Sequence, residues 1–206
     1  MNVLLINGSP HAHGCTDAAL QEIAKALNAD GIETTIYHIG AVPVGGCVGC
    51  GGCSKAGKCV FGGPVADVLP LVEKADGIVF GAPVHYATAA ASMLGFMHRL
   101  AISGGKYLRH KPAAVVTSAR RAGTTTALEA MEKVPQFFEM PLISSTYWPM
   151  VHGGKAEEAA ADAEGMQIMR NLGRNMAWIL RCIEAGKAAG IEAPVAENDK
   201  RTNFIR

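Results

Sequence analysis

Four of the chain's six cysteines stand in one short stretch, "GCVGCGGCSKAGKC" (residues 46–59), as Cys47, Cys50, Cys53 and Cys59. Where structural disulfides are rare, as in the cytosol, such a group of thiols points to metal or redox chemistry. A structural zinc ion usually takes two cysteine knuckles separated by about a dozen residues. Here the spacing is C-x2-C-x2-C-x5-C. Successive C-x-x-C steps wrap an iron–sulfur cluster, with the fourth sulfur arriving from slightly further along. Gly45, Gly46, Gly49, Gly51 and Gly52 let the backbone bend around such a group and turn N–H groups toward its sulfurs. A loop that keeps its thiols without metal is the competing reading. Outside it, Cys15 falls at a helix start, where the dipole favours a thiolate although a space-filling thiol is the simpler reading, and Cys182 is expected as a buried small hydrophobe.

Three further stretches gather hydroxyls, glycines and cations. "NGSPHAHGCT" (7–16) runs from a strand into a helix, so the first helical N–H groups, with Ser9 and Thr16, form an anion site that suits a phosphate. An ordinary turn capped by Thr16 is the plain alternative. Neither G-x-x-x-x-G-K-[ST] nor G-x-G-x-x-G is present, so such a phosphate belongs to something other than ATP or a Rossmann-bound dinucleotide. "GAPVHYATAA" (81–90) offers Pro83, a stiff backbone and the Tyr86 ring to a planar cofactor, or Tyr86 simply packs. "SARRAGTTT" (118–126) adds Ser118, Arg120, Arg121 and Gly123, with one arginine expected toward the ligand and the other toward solvent.

These loops need elements to aim them. The apolar runs 2–7, 32–39, 77–83, 112–119 and 141–148 read as strands, and 16–31, 64–76, 88–102, 124–140 and 157–187 as helices. Thr16 is the expected cap of the first helix, Pro70 is expected to shorten or distort the second, and Gly165, Gly173 and Gly186 weaken the last. Near-continuous apolar strands alternating with helices imply a doubly wound parallel sheet with helices on both faces. Five strands fit the flavodoxin-like order 2-1-3-4-5, with the ligand at the carboxyl ends of strands one and three. The 206 residues, 49% hydrophobic, suit one domain over 1–187 with a cysteine-rich loop at 45–62, followed by a tail at 188–206 that is polar except for Phe204 and Ile205. Lys+Arg of 19 against Asp+Glu of 18 gives a formal charge of +1 without a basic stripe, which argues against nucleic acid. No leader pattern and no membrane-spanning apolar run is seen, so a cytoplasmic location is expected.

Taken together and in order, "INGSPHAHGCT", "GAPVHYATAAASMLGFMHR" and "SARRAGTTTALEAM" resemble the NADPH-dependent FMN reductase family of flavodoxin-like proteins. The cysteine loop resembles that of the iron–sulfur flavoprotein branch, and the likeness covers roughly residues 1–155. It implies FMN, with the phosphate at Ser9, His11, Gly14, Cys15 and Thr16, the isoalloxazine against Pro83, Val84, His85 and Tyr86, and closure by Ser118, Arg120 and Gly123. It also implies a [4Fe-4S] cluster on Cys47, Cys50, Cys53 and Cys59. The chain departs from the common pattern at His11, where arginine is more usual, and at Cys15, where asparagine or serine is. Trp148 and His152 are candidates to border the flavin of the same or a neighbouring subunit.

The implied activity is electron transfer between NAD(P)H or ferredoxin and an acceptor that the residues do not name, in a homodimer or homotetramer. Flavin-centred chemistry needs no side-chain acid or base, so no catalytic residue is assigned. A cluster-free NAD(P)H-dependent reductase of free flavin, quinones or azo compounds is one alternative. A metal- or thiol-stabilised binding protein is another.

Overall fold

Strands β1 (Asn2–Asn7), β2 (Glu33–His38), β3 (Gly77–His85), β5 (Ala113–Ala119) and β6 (Met150–His152) form a parallel sheet in the order β2-β1-β3-β5-β6. A two-residue strand, β4 (Thr88–Ala89), pairs antiparallel with β3 beyond the sheet's rim. The five parallel strands alone therefore follow the 2-1-3-4-5 order expected of the sequence. The computed structural model describes residues 1–203; Phe204 and Ile205 lie outside the described residues.

Alternation along the strands builds two cores. In β1, Val3 and Leu5 face one side of the sheet and Leu4 and Ile6 the other, and all four are buried. The first side is covered by α1 (Cys15–Ala29), α6 (Ala156–Ala161) and α7 (Ala163–Ala188), the second by α3 (Pro64–Lys74), α4 (Ala91–Gly104) and α5 (Thr124–Phe137). Each buried Leu, Ile or Phe contributes roughly 1.5–3 kcal/mol of burial. The open end of the sheet, where the order reverses between β1 and β3, is thus rigidly framed.

Several elements differ from the sequence reading. The first helix begins at Cys15 with Gly14 as its cap, so Thr16 sits inside the first turn. Pro70 does not shorten α3: it lies on an exposed face near the end of the helix, which runs on to Lys74. The expected long C-terminal helix is broken at Asp162, whose carboxylate accepts from Gly165 N (2.9 Å) and starts α7. Gly173 is a packing residue: a Cβ there would stand 2.9 Å from Ala26 Cβ and 3.0 Å from the Ile23 carbonyl oxygen, so its absence lets α7 close on α1. Cys182 is exposed, not buried.

The fifth strand differs most. Residues 141–148 pair with β5 only around Leu142, and regular pairing resumes at Met150. An advance of four residues on β5, Ala113 to Thr117, is matched by eight on this segment, Leu142 to Met150. The surplus loops outward with Tyr147 and Trp148 stacked edge to face at 4.8 Å.

The helix pair α1–α7 is also pinned by charge. Arg170 Nη1 lies 2.6 Å from Glu22 Oε1, and Lys25 Nζ 3.3 Å from Glu22 Oε2. Burial alone would raise the Glu22 carboxyl, but the hydrogen bonds and charges of Arg170 and Lys25 outweigh it and hold the group below the usual carboxylate range. A depressed pKa contributes stability that is present above the unfolded value and lost as pH falls through the folded one. Glu22→Gln is therefore expected to cost about 0.5–1 kcal/mol at pH 7. Urea titrations should find that difference vanishing at pH values below the depressed pKa.

Candidate active site

The loop after β1 is held by side chains that the sheet buries. Asn7, fully buried at the end of β1, accepts from Ser9 N (3.0 Å) and donates to the Ala12 carbonyl (3.2 Å). Ser9 Oγ accepts from His11 N (3.1 Å), and His38 Nε2 lies 2.7 Å from the Ser9 carbonyl. The loop is fixed before any ligand arrives. Its helix cap, Gly14, is extended and supplies no side chain to the first turn of α1, so no capping group competes there for the leading amides. A Cβ at Gly14 would stand 3.2 Å from His11 Cβ, so glycine keeps this cradle open. The donors and the shape fit a phosphate.

Thr16, which the sequence suggested as the cap, turns its hydroxyl to Ser118 Oγ at 2.9 Å in a buried contact that ties this loop to the one after β5. Cys15 places Sγ 3.3 Å from the Gly153 carbonyl. Burial pushes its thiol up, with Glu158 and Glu157 adding to the shift against the opposing effect of its own backbone, so the dipole does not make it a thiolate. The His11 imidazole is exposed at the rim.

The second loop has a form that composition did not announce. β3 continues through Pro83 and Val84 to His85, then folds back on β4 with Val84 opposite Ala89 and His85 opposite Thr88. The two turn residues, Tyr86 and Ala87, both adopt left-handed conformations with φ of 50° and 59°. Such turns favour Asn-Gly, and each non-glycine here costs of order 1–3 kcal/mol. The strained turn projects Tyr86 fully into solvent at the sheet's open end.

The third loop seats on this hairpin. Gly123 has φ 93° and caps α5; a Cβ there would lie 2.7 Å from Ala87 Cα and 3.0 Å from Val84 Cγ1. Ser118 is buried, and Arg120 and Arg121 are both exposed. The structure therefore joins Ser9, Gly14, Thr16, Ser118, Val84 and Gly123 into one connected rim and leaves His11, His85, Tyr86 and Arg120 free to meet what binds there. Trp148 lines a cavity of about 440 Å³ with Val115 and Leu142. His152 Nδ1 is 3.9 Å from Asp162 Oδ2.

All four loop cysteines line a single cavity of about 190 Å³, walled also by Val60, Phe61, Arg99 and Ile102. Cys53 opens a short helix, α2 (Cys53–Ala56); Cys47 and Cys50 are exposed, Cys53 and Cys59 half-buried. Among the described residues no three His, Cys, Asp or Glu side chains converge on one ion. Four thiols around one cavity supply the soft donors that either an iron–sulfur cluster or a zinc ion takes. Sequence reasoning missed Arg99, which donates from Nε and Nη2 to Cys59 Sγ at 3.3 and 3.2 Å and from Nη2 to the Gly62 carbonyl at 2.8 Å. An arginine in an apolar helix, forty residues from the cysteine it touches, gives no local signal.

The model of a family described as NADPH-dependent FMN reductase matches residues 1–155. The chain belongs to that family. It is accordingly a flavin-binding oxidoreductase of flavodoxin-like fold, the fold seen also in a flavodoxin, WrbA-like protein from Agrobacterium tumefaciens (TM-score 0.64, 15% identity, 88% of this chain and 98% of that one). An iron–sulfur flavoprotein of Methanocaldococcus jannaschii is 28% identical over 192 residues, 89% of this chain and 100% of its own. An iron–sulfur flavoprotein of Archaeoglobus fulgidus is 33% identical over 126 residues, 60% of this chain and 62% of its own. No helix among the described residues is long and apolar enough to cross a membrane.

Proposed function

We propose that this family member is an electron-transferring flavoenzyme with FMN at the rim formed by the loops after β1, β3 and β5 and a [4Fe-4S] cluster on Cys47, Cys50, Cys53 and Cys59. The observation that carries the reading is that all four thiols open on one cavity. Full-length alignment with a relative named an iron–sulfur flavoprotein supports it. Bound FMN supplies exchange between two-electron and one-electron chemistry, and a cluster supplies a one-electron relay.

The chain's own part is to bind, orient and exclude water. Ser9, His11, Gly14, Cys15 and Thr16 form the phosphate loop, which offers side-chain donors and the leading amides of α1 at Cys15 and Thr16, while the Ser9 and His11 amides are spent on Asn7 and Ser9 in fixing the loop. Pro83, Val84, His85 and Tyr86 back the isoalloxazine with a stiff hairpin, and Ser118, Arg120 and Gly123 close the third side. The donor is NAD(P)H or ferredoxin, the acceptor a redox protein or small molecule, the assembly a homodimer or homotetramer, and the compartment the cytoplasm.

Anaerobic purification followed by a visible spectrum, iron and acid-labile sulfide analysis tests this directly. We expect flavin bands over a broad iron–sulfur absorbance that bleaches with dithionite, and about four irons per chain. Yellow protein without iron would leave the second reading, a cluster-free NAD(P)H-dependent reductase of flavin, quinones or azo compounds. The exposure of Cys47 and Cys50 favours that alternative.

A further inference from the structure

We propose that Arg99 is the positioning residue of the cysteine site, holding and polarising the Cys59 sulfur so that it governs both retention of the cluster and its reduction potential. The inference rests on the cluster reading above and concerns a residue outside the four ligands.

Helix α4 meets the cysteine loop along one stripe. Gly95 lies so close to the loop that a Cβ there would overlap the Val44 carbonyl oxygen and stand 3.0 Å from Gly45 C. One turn on, Arg99 reaches Cys59 and Gly62; after another, the Ile102 carbonyl lies 4.0 Å from Cys53 Sγ. Positions 95, 99 and 102 share one helical face. The loop is thus latched to a rigid element at its start, middle and end.

Within this latch the partners of Arg99 are unusual. Its guanidinium gives two N–H groups to one sulfur and a third contact to the Gly62 carbonyl, spanning a turn in which Gly62 N donates to the Cys59 carbonyl (3.1 Å). No carboxylate pairs with it among the described residues. From 34 to 66 the only charged residues are Lys55 and Lys58, and from 77 to 128 the sequence carries no Asp or Glu. A forked cation aimed at sulfur and lacking an acidic partner is suited to an anionic sulfur, because charge-assisted donors bind an anion more strongly than a neutral thiol.

Of the other three sulfurs, among the described residues Cys47 accepts only from Gly49 N (3.5 Å), and none receives a side-chain donor. Cys59 is therefore the ligand singled out. Groups that orient and polarise ligands commonly change metal affinity 10–100-fold when removed. An electron added to a cluster adds negative charge, so a neighbouring guanidinium favours the reduced form.

The test uses the full FMN-loaded chain, reconstituted anaerobically with ferrous iron and sulfide, as wild type, Arg99→Gln and Arg99→Lys. Arg99→Gln should release iron to a ferrous chelator at least about tenfold faster than wild type. Its midpoint potential, read by EPR-monitored titration, should be lower, by about 59 mV if the oxidised form gains tenfold. Arg99→Lys keeps the charge but not the fork, so it should stay near the wild-type potential while still losing iron quickly. FMN stoichiometry should be unchanged in both. A wild type that holds iron beside an Arg99→Gln of equal potential and equal chelator half-life overturns this inference alone. A wild type that takes up no iron overturns the cluster reading and this inference with it. If Arg99→Gln does not fold, the chelator half-life of Arg99→Lys decides, and one equal to wild type overturns the proposal.

Discussion

Replacing Cys47 and Cys50 together by serine is expected to strip the protein of nearly all its iron, from about four per chain to a trace, while FMN stays bound. The two effects separate because the cysteine cavity and the proposed flavin rim use different loops: residues 46–61 with α4 in one case, the turns after β1, β3 and β5 in the other. Both cysteines are exposed in the loop and support no packing, so serine should fold without appreciable loss of stability. Reduction of one-electron acceptors should fall by at least an order of magnitude, since two lost thiolates leave the cluster half-ligated. Iron analysis and steady-state turnover decide the matter. A double variant that turns over quinone or azo acceptors at the wild-type rate would favour the cluster-free reductase instead.

The second large effect is expected at Gly95. In an isolated helix, Gly→Ala would stabilise by about 1 kcal/mol. Here the new methyl would run into the Val44 carbonyl and the Gly45 backbone, and backbone cannot rotate aside as a side chain can. Overpacking of this kind typically costs about 1–3 kcal/mol, so after the helix gain Gly95→Ala should unfold at lower urea than wild type, with a net loss of up to about 2 kcal/mol. The loop should also lift from α4, and iron retention should fall with stability. A Gly95→Ala variant more stable than the parent would mean that the loop does not seat on the helix.

How far the sequence carried these conclusions depended on whether the signal was local. The runs "NVLLIN" and "PAAVVTSA" are apolar because both faces of their strands are covered, and they fell within a residue of β1 and β5. "PLISSTYW" looked equally strand-like through its β-branched and aromatic residues. Its ladder is interrupted because those aromatics stack on one another outside the sheet, a tertiary outcome that a window of eight residues does not contain. Tyr86 and Ala87 are poor turn residues, and their left-handed backbone is imposed by the pairing of β3 with β4 and by Gly123 pressing from α5. The four cysteines stood out as a group by their spacing, and the structure lines one cavity with them. Arg99 did not stand out, because what it does is defined only when α4 is laid against the loop.

One consequence of that helix bears on both halves of the molecule. α4 begins at Ala91, two residues after the β4 hairpin strand, and meets the thiol loop at Gly95, Arg99 and Ile102. At 1.5 Å per residue, the first turn and the arginine are about 12 Å apart along an inextensible axis. Inserting or deleting one residue between them would swing the stripe by about 100° and carry the guanidinium off its sulfur. The helix therefore acts as a gauge bar: the spacing and rotational phase between the β4 hairpin and the cysteine loop are set by one count of residues, and only substitutions that preserve that count keep the two in register.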